Sequence, residues 1–162
     1  VEKDLVEEAK NIQKKANQYN CTIILPTDVV CGKNIEDKNP FELSLNEITS
    51  DFMILDLGKK TTEIINQEIK NSRMVLWNGP VGAFEYKPYD KATKEIAIYI
   101  KENAKKFNIS TLAGGGDTIS SIKNANAEDG FDYISNAGGA FLEWLEGNQS
   151  PGVIALKENN FT

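Results

Sequence analysis

Ser110-Thr111-Leu112-Ala113-Gly114-Gly115-Gly116-Asp117-Thr118-Ile119-Ser120-Ser121-Ile122 holds the fold in miniature. A short run suited to a strand enters three glycines, and Ile119, Ile122 and Ala125 then recur on one side at helical spacing. A strand that passes through glycine into a helix is the unit of a parallel sheet, because the chain must cross back before the next strand begins.

The same unit flanks it on both sides. Met74-Val75-Leu76-Trp77 runs into the turn-rich Asn78-Gly79-Pro80-Val81-Gly82, after which Asp90 is a candidate N-cap for a helix carrying Ile96, Ile100, Ala104 and Phe107. Tyr133-Ile134-Ser135 enters Asn136-Ala137-Gly138-Gly139, and Ala140 to Glu146 follows. Nearer the N-terminus, Phe52 to Gly58 reads as a buried strand ending at glycine, and Thr61 to Asn71 as a helix with Ile64, Ile65 and Ile69 inward. Leu5, Ala9, Ile12, Ala16 and Tyr19 mark an amphipathic helix. Thr22 to Leu25 is predicted as a short strand stopped by Pro26, Asp28 to Gly32 as another extended piece, and Lys33 to Pro40 as a polar loop. The expected class is α/β: a three-layer, mainly parallel Rossmann-like sheet with helices on both faces. Ligands of such sheets bind at the edge where the strands end, and here three successive strands end in glycine-rich loops.

Composition sets the outer limits. The 162 residues suit one domain with a real core, and 40% hydrophobic against 26% charged residues places the chain among globular proteins. Eighteen basic and 24 acidic side chains give a net charge of −6, which argues against a nucleic-acid partner but not against a small nucleotide. There is no histidine, and Cys21 and Cys31 lack metal-binding spacing, so inert thiols in a reducing, cytoplasmic setting are expected. No apolar run reaches the roughly 20 residues of a membrane span. Val1 is not an ordinary start, and a piece of a longer protein is expected.

The chemistry lies in the loops. Glycines ahead of a helix let backbone N–H groups approach a phosphate, and the helix end favours negative charge by about 0.3–1 kcal/mol, too little to hold a triphosphate alone. A carboxylate there, Asp117, repels phosphate unless a cation such as magnesium lies between them; the alternative is a simple N-cap. This is neither a Walker A loop nor a G-x-G-x-x-G pattern. Glu85 is placed to accept hydrogen bonds from ribose hydroxyls or to stand as a solvated loop charge. Gly138-Gly139 is either a second anion-binding helix end or a tight turn capped by Ser135 or Asn136.

Trp77-Asn78-Gly79-Pro80-Val81-Gly82-Ala83-Phe84-Glu85, Ala113-Gly114-Gly115-Gly116-Asp117-Thr118 and the run from Ser135 to Gly147 resemble, in that order, the signatures of the phosphoglycerate kinase family. Ile24 to Val30 and Ile54 to Gly58 are similar to it as well, so the resemblance spans nearly the whole chain. It implies the C-terminal, nucleotide-binding domain of a two-domain enzyme, over residues 1–162 but without that domain's first segments. The reaction implied is reversible phosphoryl transfer between 1,3-bisphosphoglycerate and ADP, giving 3-phosphoglycerate and ATP in glycolysis. By resemblance, Gly115, Gly116 and Thr118 lie at the phosphates of ADP or ATP, Asp117 holds Mg2+, Glu85 meets the ribose and Gly58 borders the adenine. Gly116, Gly138 and Gly139 serve the transferring phosphoryl group. The phosphoglycerate substrates belong to the N-terminal domain, and a cytoplasmic monomer without nucleic-acid or membrane partners is implied. The family's phosphate-binding lysines and its transition-state arginine fall outside this sequence, so the chain alone is expected to lack kinase activity, leaving a nucleotide-binding module. If the family's sheet order holds, a strand is also missing from the middle of the sheet. Lys59 replaces the family's proline, and Asn136-Ala137 its Thr-Gly.

Overall fold

The computed structural model describes residues 3–136, 138–148, 152, 154 and 155. After a 3-10 turn come α1 (Val6–Gln18), β1 (Asp28–Gly32), β2 (Phe41–Ser44), β3 (Met53–Leu57), α2 (Lys59–Asn71), β4 (Met74–Trp77), α3 (Lys91–Phe107), β5 (Ser110–Gly114), α4 (Gly116–Asn124), β6 (Tyr133–Ser135) and α5 (Gly138–Leu145). The α/β class and the parallel sheet are as the sequence indicates: β4, β5 and β6 lie side by side, and both pairings are parallel. The other three strands form a separate antiparallel sheet in the order β2-β1-β3.

The core lies on one face of the parallel sheet. Val75, Trp77, Ala113 and Ile134 meet Ile96, Ala97, Ile100 and Ala104 of α3, Ile122 of α4 and Ile69 of α2. Ile119, Ile122 and Ala125 are all buried, as their spacing indicates. The opposite face carries Met74, Leu76 and Tyr133, which the described residues leave largely uncovered: Met74 is 62% and Tyr133 61% exposed. Among the described residues β4 has a neighbour on one side only.

Thr22 to Leu25 is not a strand. Those residues take no regular element, and Ile23, Ile24 and Leu25 are exposed. A strand is held by the ladder bonds of a neighbour, and none lies beside this segment among the described residues. The helix before it, α1, forms as expected but buries none of its residues. In α2 the inward face differs from the expected one: Thr61, Thr62 and Ile69 are buried, whereas Ile64 is exposed.

Thr61 faces inward because it belongs to a polar joint. The Asp28 carboxylate, on β1, accepts the N–H groups of Lys60 (2.9 Å) and Thr61 (2.7 Å) and the Thr61 hydroxyl, so the strand's own side chain caps α2. Burial pushes the Asp28 pKa up, but these bonds, led by the Thr61 hydroxyl, outweigh it and hold the pKa at about 2. A group held below its unfolded value of 3.8 stabilises the fold above that pH and loses its contribution as pH falls through its folded value. Asp28→Asn is therefore expected to unfold in urea with about 2 kcal/mol less stability at pH 7, a difference that shrinks below pH 3.8. A difference independent of pH would contradict the joint.

Candidate nucleotide-phosphate site

Parallel pairing sets Trp77 beside Ala113 and Gly114 beside Ser135, so the loops after β4, β5 and β6 leave the same sheet edge. Two bonds tie them together. The Thr118 hydroxyl, on α4, accepts the N–H of Gly79 at 2.7 Å, and Gly115 N–H donates to the Ser135 carbonyl at 3.3 Å. The sequence-predicted loops thus meet where they were expected to.

Gly115 caps α4 with φ near +97°, a backbone that a side chain rarely adopts, and a Cβ there would approach Asn78 Oδ1 to 3.3 Å. At Gly116 nothing lies within 4 Å of where a Cβ would stand, so its backbone is open to an approaching group. Asp117 is exposed in the first turn of α4, and since Gly115 is the N-cap, the capping alternative for Asp117 falls away. Thr118 is fully buried, with its hydroxyl engaged by Gly79.

Glu85 is exposed in the turns after the β4 loop. Gly58 caps α2 and its N–H donates to the Asp28 carbonyl at 3.0 Å; a Cβ there would overlap the Asp28 carboxylate, which accounts for glycine by packing. Lys59 opens α2 and donates its backbone N–H to Glu42 Oε1 at 3.1 Å. Gly138 and Gly139 form the first turn of α5, with open space around Gly139. Ala137 lies outside the described residues.

Beside this edge is a cavity of about 520 Å³. Its walls are Leu25, Val29, Ile54 and Leu55 on one side and the Pro80–Ala83 loop on the other, with Asp56 among the lining residues. Asp56 is the functional candidate that sequence reading missed, although a carboxylate inside the apolar run Met53–Leu57 is itself a signal. Burial pushes its pKa up to about 6, against the backbone N–H groups of Ala92, Leu57 and Lys91, and the nearby Asp90 charge adds to the rise. It also caps α3: Ala92 N–H donates to Asp56 Oδ2 at 3.0 Å, while Asp90, the expected N-cap, makes no side-chain capping bond.

Among the described residues no three acidic or cysteine side chains cluster to hold a metal by themselves. A magnesium ion bound by one carboxylate and phosphate oxygens needs no such cluster, and exposed Asp117 beside the open Gly116 fits that donor set.

A profile of the phosphoglycerate kinase family matches residues 1–148. The chain belongs to that family. It is 45% identical over 157 residues to the phosphoglycerate kinase of Rhodopseudomonas palustris and 42% identical over 158 residues to that of a Chelativorans species, covering 96% and 97% of this chain. The solved phosphoglycerate kinase of Coxiella burnetii superposes with a TM-score of 0.84 at 30% identity, over 91% of this chain and 38% of that one. That of Pyrococcus horikoshii gives 0.77 at 26% identity over 96% of this chain. The chain spans 39–40% of the length of the two curated relatives. No helix among the described residues is long and apolar enough to cross a membrane.

The bond from Gly79 to Thr118 is expected to hold the loops in register. Thr118→Val keeps the volume but leaves the Gly79 N–H without its acceptor, at a cost of about 1–3 kcal/mol. Hydrogen exchange checks it: the Gly79 amide should exchange faster in the variant while the Ile122 amide changes only with global stability.

Proposed function

We propose that this chain is the ADP- and ATP-binding portion, the C-terminal domain less its first segments, of a phosphoglycerate kinase. The whole protein would transfer a phosphoryl group reversibly between 1,3-bisphosphoglycerate and ADP, as a cytoplasmic glycolytic monomer. The observation that supports it best is the convergence of three glycine-rich loops at one sheet edge, with Gly116 open and the loops joined through Thr118.

The residues divide the work by their chemistry. Gly115, whose own N–H is held by the Ser135 carbonyl, turns the chain so that the N–H groups of the first turn of α4, that of Gly116 foremost, would face anionic oxygens, a role that suits positioning and charge stabilisation, the main needs of phosphoryl transfer. Asp117 would hold Mg2+, which when bound offsets phosphate charge. The buried Thr118 hydroxyl fixes the loop geometry from behind, and Gly138 and Gly139 offer a second helix end for the group in transit. Glu85 is assigned to the ribose, and the apolar cavity next to the loops has the character of a base-binding wall. The acyl-phosphate substrate is assigned to the domain that this chain does not span.

Calorimetric titration with ADP tests the reading. Magnesium-dependent binding is expected, weakened on the order of tenfold or more by Asp117→Ala. The chain alone should give no phosphoryl transfer. Equal binding with and without magnesium, unchanged by the substitution, would remove Asp117 from the metal.

A further inference from the structure

We infer that Asp56 is a positioning residue that clamps the 79–85 loop to β3 and α3 and so shapes the wall on which the ligand sits. The inference rests on the nucleotide reading only for the identity of that ligand; the clamp itself is a matter of geometry.

Three consecutive loop residues are fixed around this carboxylate. Val81 N–H donates to Thr93 Oγ1 of α3 at 3.2 Å, and Ala83 N–H donates to the Leu55 carbonyl of β3 at 2.8 Å. Between them Gly82 lies so close that a Cβ would overlap the Asp56 carboxylate and come within 2.8 Å of the Tyr89 carbonyl. The carboxylate then uses both oxygens: Oδ1 accepts Leu57 N–H at 2.9 Å and Oδ2 accepts Ala92 N–H at 3.0 Å. One buried side chain thus meets the strand, the loop and the first turn of the helix. The strand and the loop are also walls of the cavity of about 520 Å³, with Leu25, Val29 and Leu45 lining the rest.

Protonation gives this clamp a signature. Ionised Asp56 accepts from both donors, whereas a protonated oxygen would face an N–H with a hydrogen of its own, which weakens one bond. The charge that acts on it is that of Asp90, the N-cap of α3, while Lys91 meets it through its backbone N–H; its partner on β1 is Val30. Because its folded pKa lies above the unfolded value of 3.8, acidification through about 6 favours the folded chain as a whole. The weakened bond is to β3 or α3, and the loop, which packs on this carboxylate at Gly82 and hangs from Leu55 and Thr93 on those two elements, should loosen over the same interval. Global stability and ligand affinity therefore move in opposite directions, which a merely structural carboxylate would not produce.

The test is an NMR pH titration of the ligand-free chain, paired with Mg·ADP titrations of wild type and Asp56→Asn across the same pH range. The amides of Gly82, Ala83 and Ala92 should shift together with a midpoint near the Asp56 value of about 6, and not in the variant. At pH 7.5 Asp56→Asn should bind Mg·ADP about tenfold more weakly, one hydrogen bond's worth, with the gap closing below pH 5.5 as the wild type protonates. Taking the affinity ratio of the two proteins cancels the titration of the nucleotide itself. Amides at 82 and 83 that ignore this midpoint overturn the clamp, a result the wild type gives even if the variant does not fold. Titrating amides with equal affinities at every pH overturn the link to the ligand seat. Titrating amides without any nucleotide binding uphold the clamp and count against the nucleotide reading instead.

Discussion

Parallel pairing of β4, β5 and β6 is the constraint from which the site follows. Strands that run the same way must all end at the same edge, so whatever loops follow them are brought together without any loop having to seek another. Here the following residues are glycine-rich at all three strands, and the backbone, not the side chains, is what that edge presents. The residual freedom of the loops is removed by the Gly79 bond to Thr118 and the Gly115 bond to Ser135. With the Gly79 and Gly115 N–H groups spent on fixing the loops, the proposed role for the remaining N–H groups of the first turn of α4 is to meet an anion on a scaffold set before any ligand arrives, the kind of preorganisation that phosphoryl transfer uses.

Buried carboxylates organise the ground behind that edge. Asp28 and Asp56 sit on neighbouring strands of the antiparallel sheet, and each caps a helix from outside it, α2 in one case and α3 in the other. Their pKa values nonetheless move in opposite directions. Asp28 takes a hydroxyl as well as backbone N–H groups and stays ionised to about pH 2, whereas Asp56 has backbone donors alone, lies in a more desolvated place and rises to about 6. The same structural task is thus performed by one group that stays charged down to about pH 2 and one that titrates at about 6.

The sequence disclosed the parts whose signals are local. Glycine between an apolar strand and an amphipathic helix marks β5 and α4 because both periodicities survive in a few residues, and Ile119, Ile122 and Ala125 are buried as their spacing requires. What it did not disclose depends on neighbours. Thr22 to Leu25 has the composition of a strand, but pairing is a property of two segments, and none pairs with this one among the described residues. Phe41–Ser44 escaped notice because it is short and alternates between half-buried and exposed positions. Thr61 replaced Ile64 on the inward face of α2 because the Asp28 carboxylate, 33 residues away, required a hydroxyl and an N–H there. Of the candidate site, the glycine loops and Asp117 were nameable from residue types, while Asp56 was hidden within a run that reads simply as apolar. The faces of α1 and β4 carry apolar side chains that the described residues leave uncovered, in a chain that spans about 40% of the length of its curated relatives.

The proposed seat of a nucleotide's phosphates is the edge formed by the three loops. Amide chemical-shift mapping with Mg·ADP tests it most directly, because it reports where a ligand sits as well as whether it binds. The expected result is that the largest shifts fall on Gly115, Gly116 and Asp117, with Gly79 following through its bond to Thr118. Saturable shifts confined to other elements, with these four amides unmoved, would contradict the account.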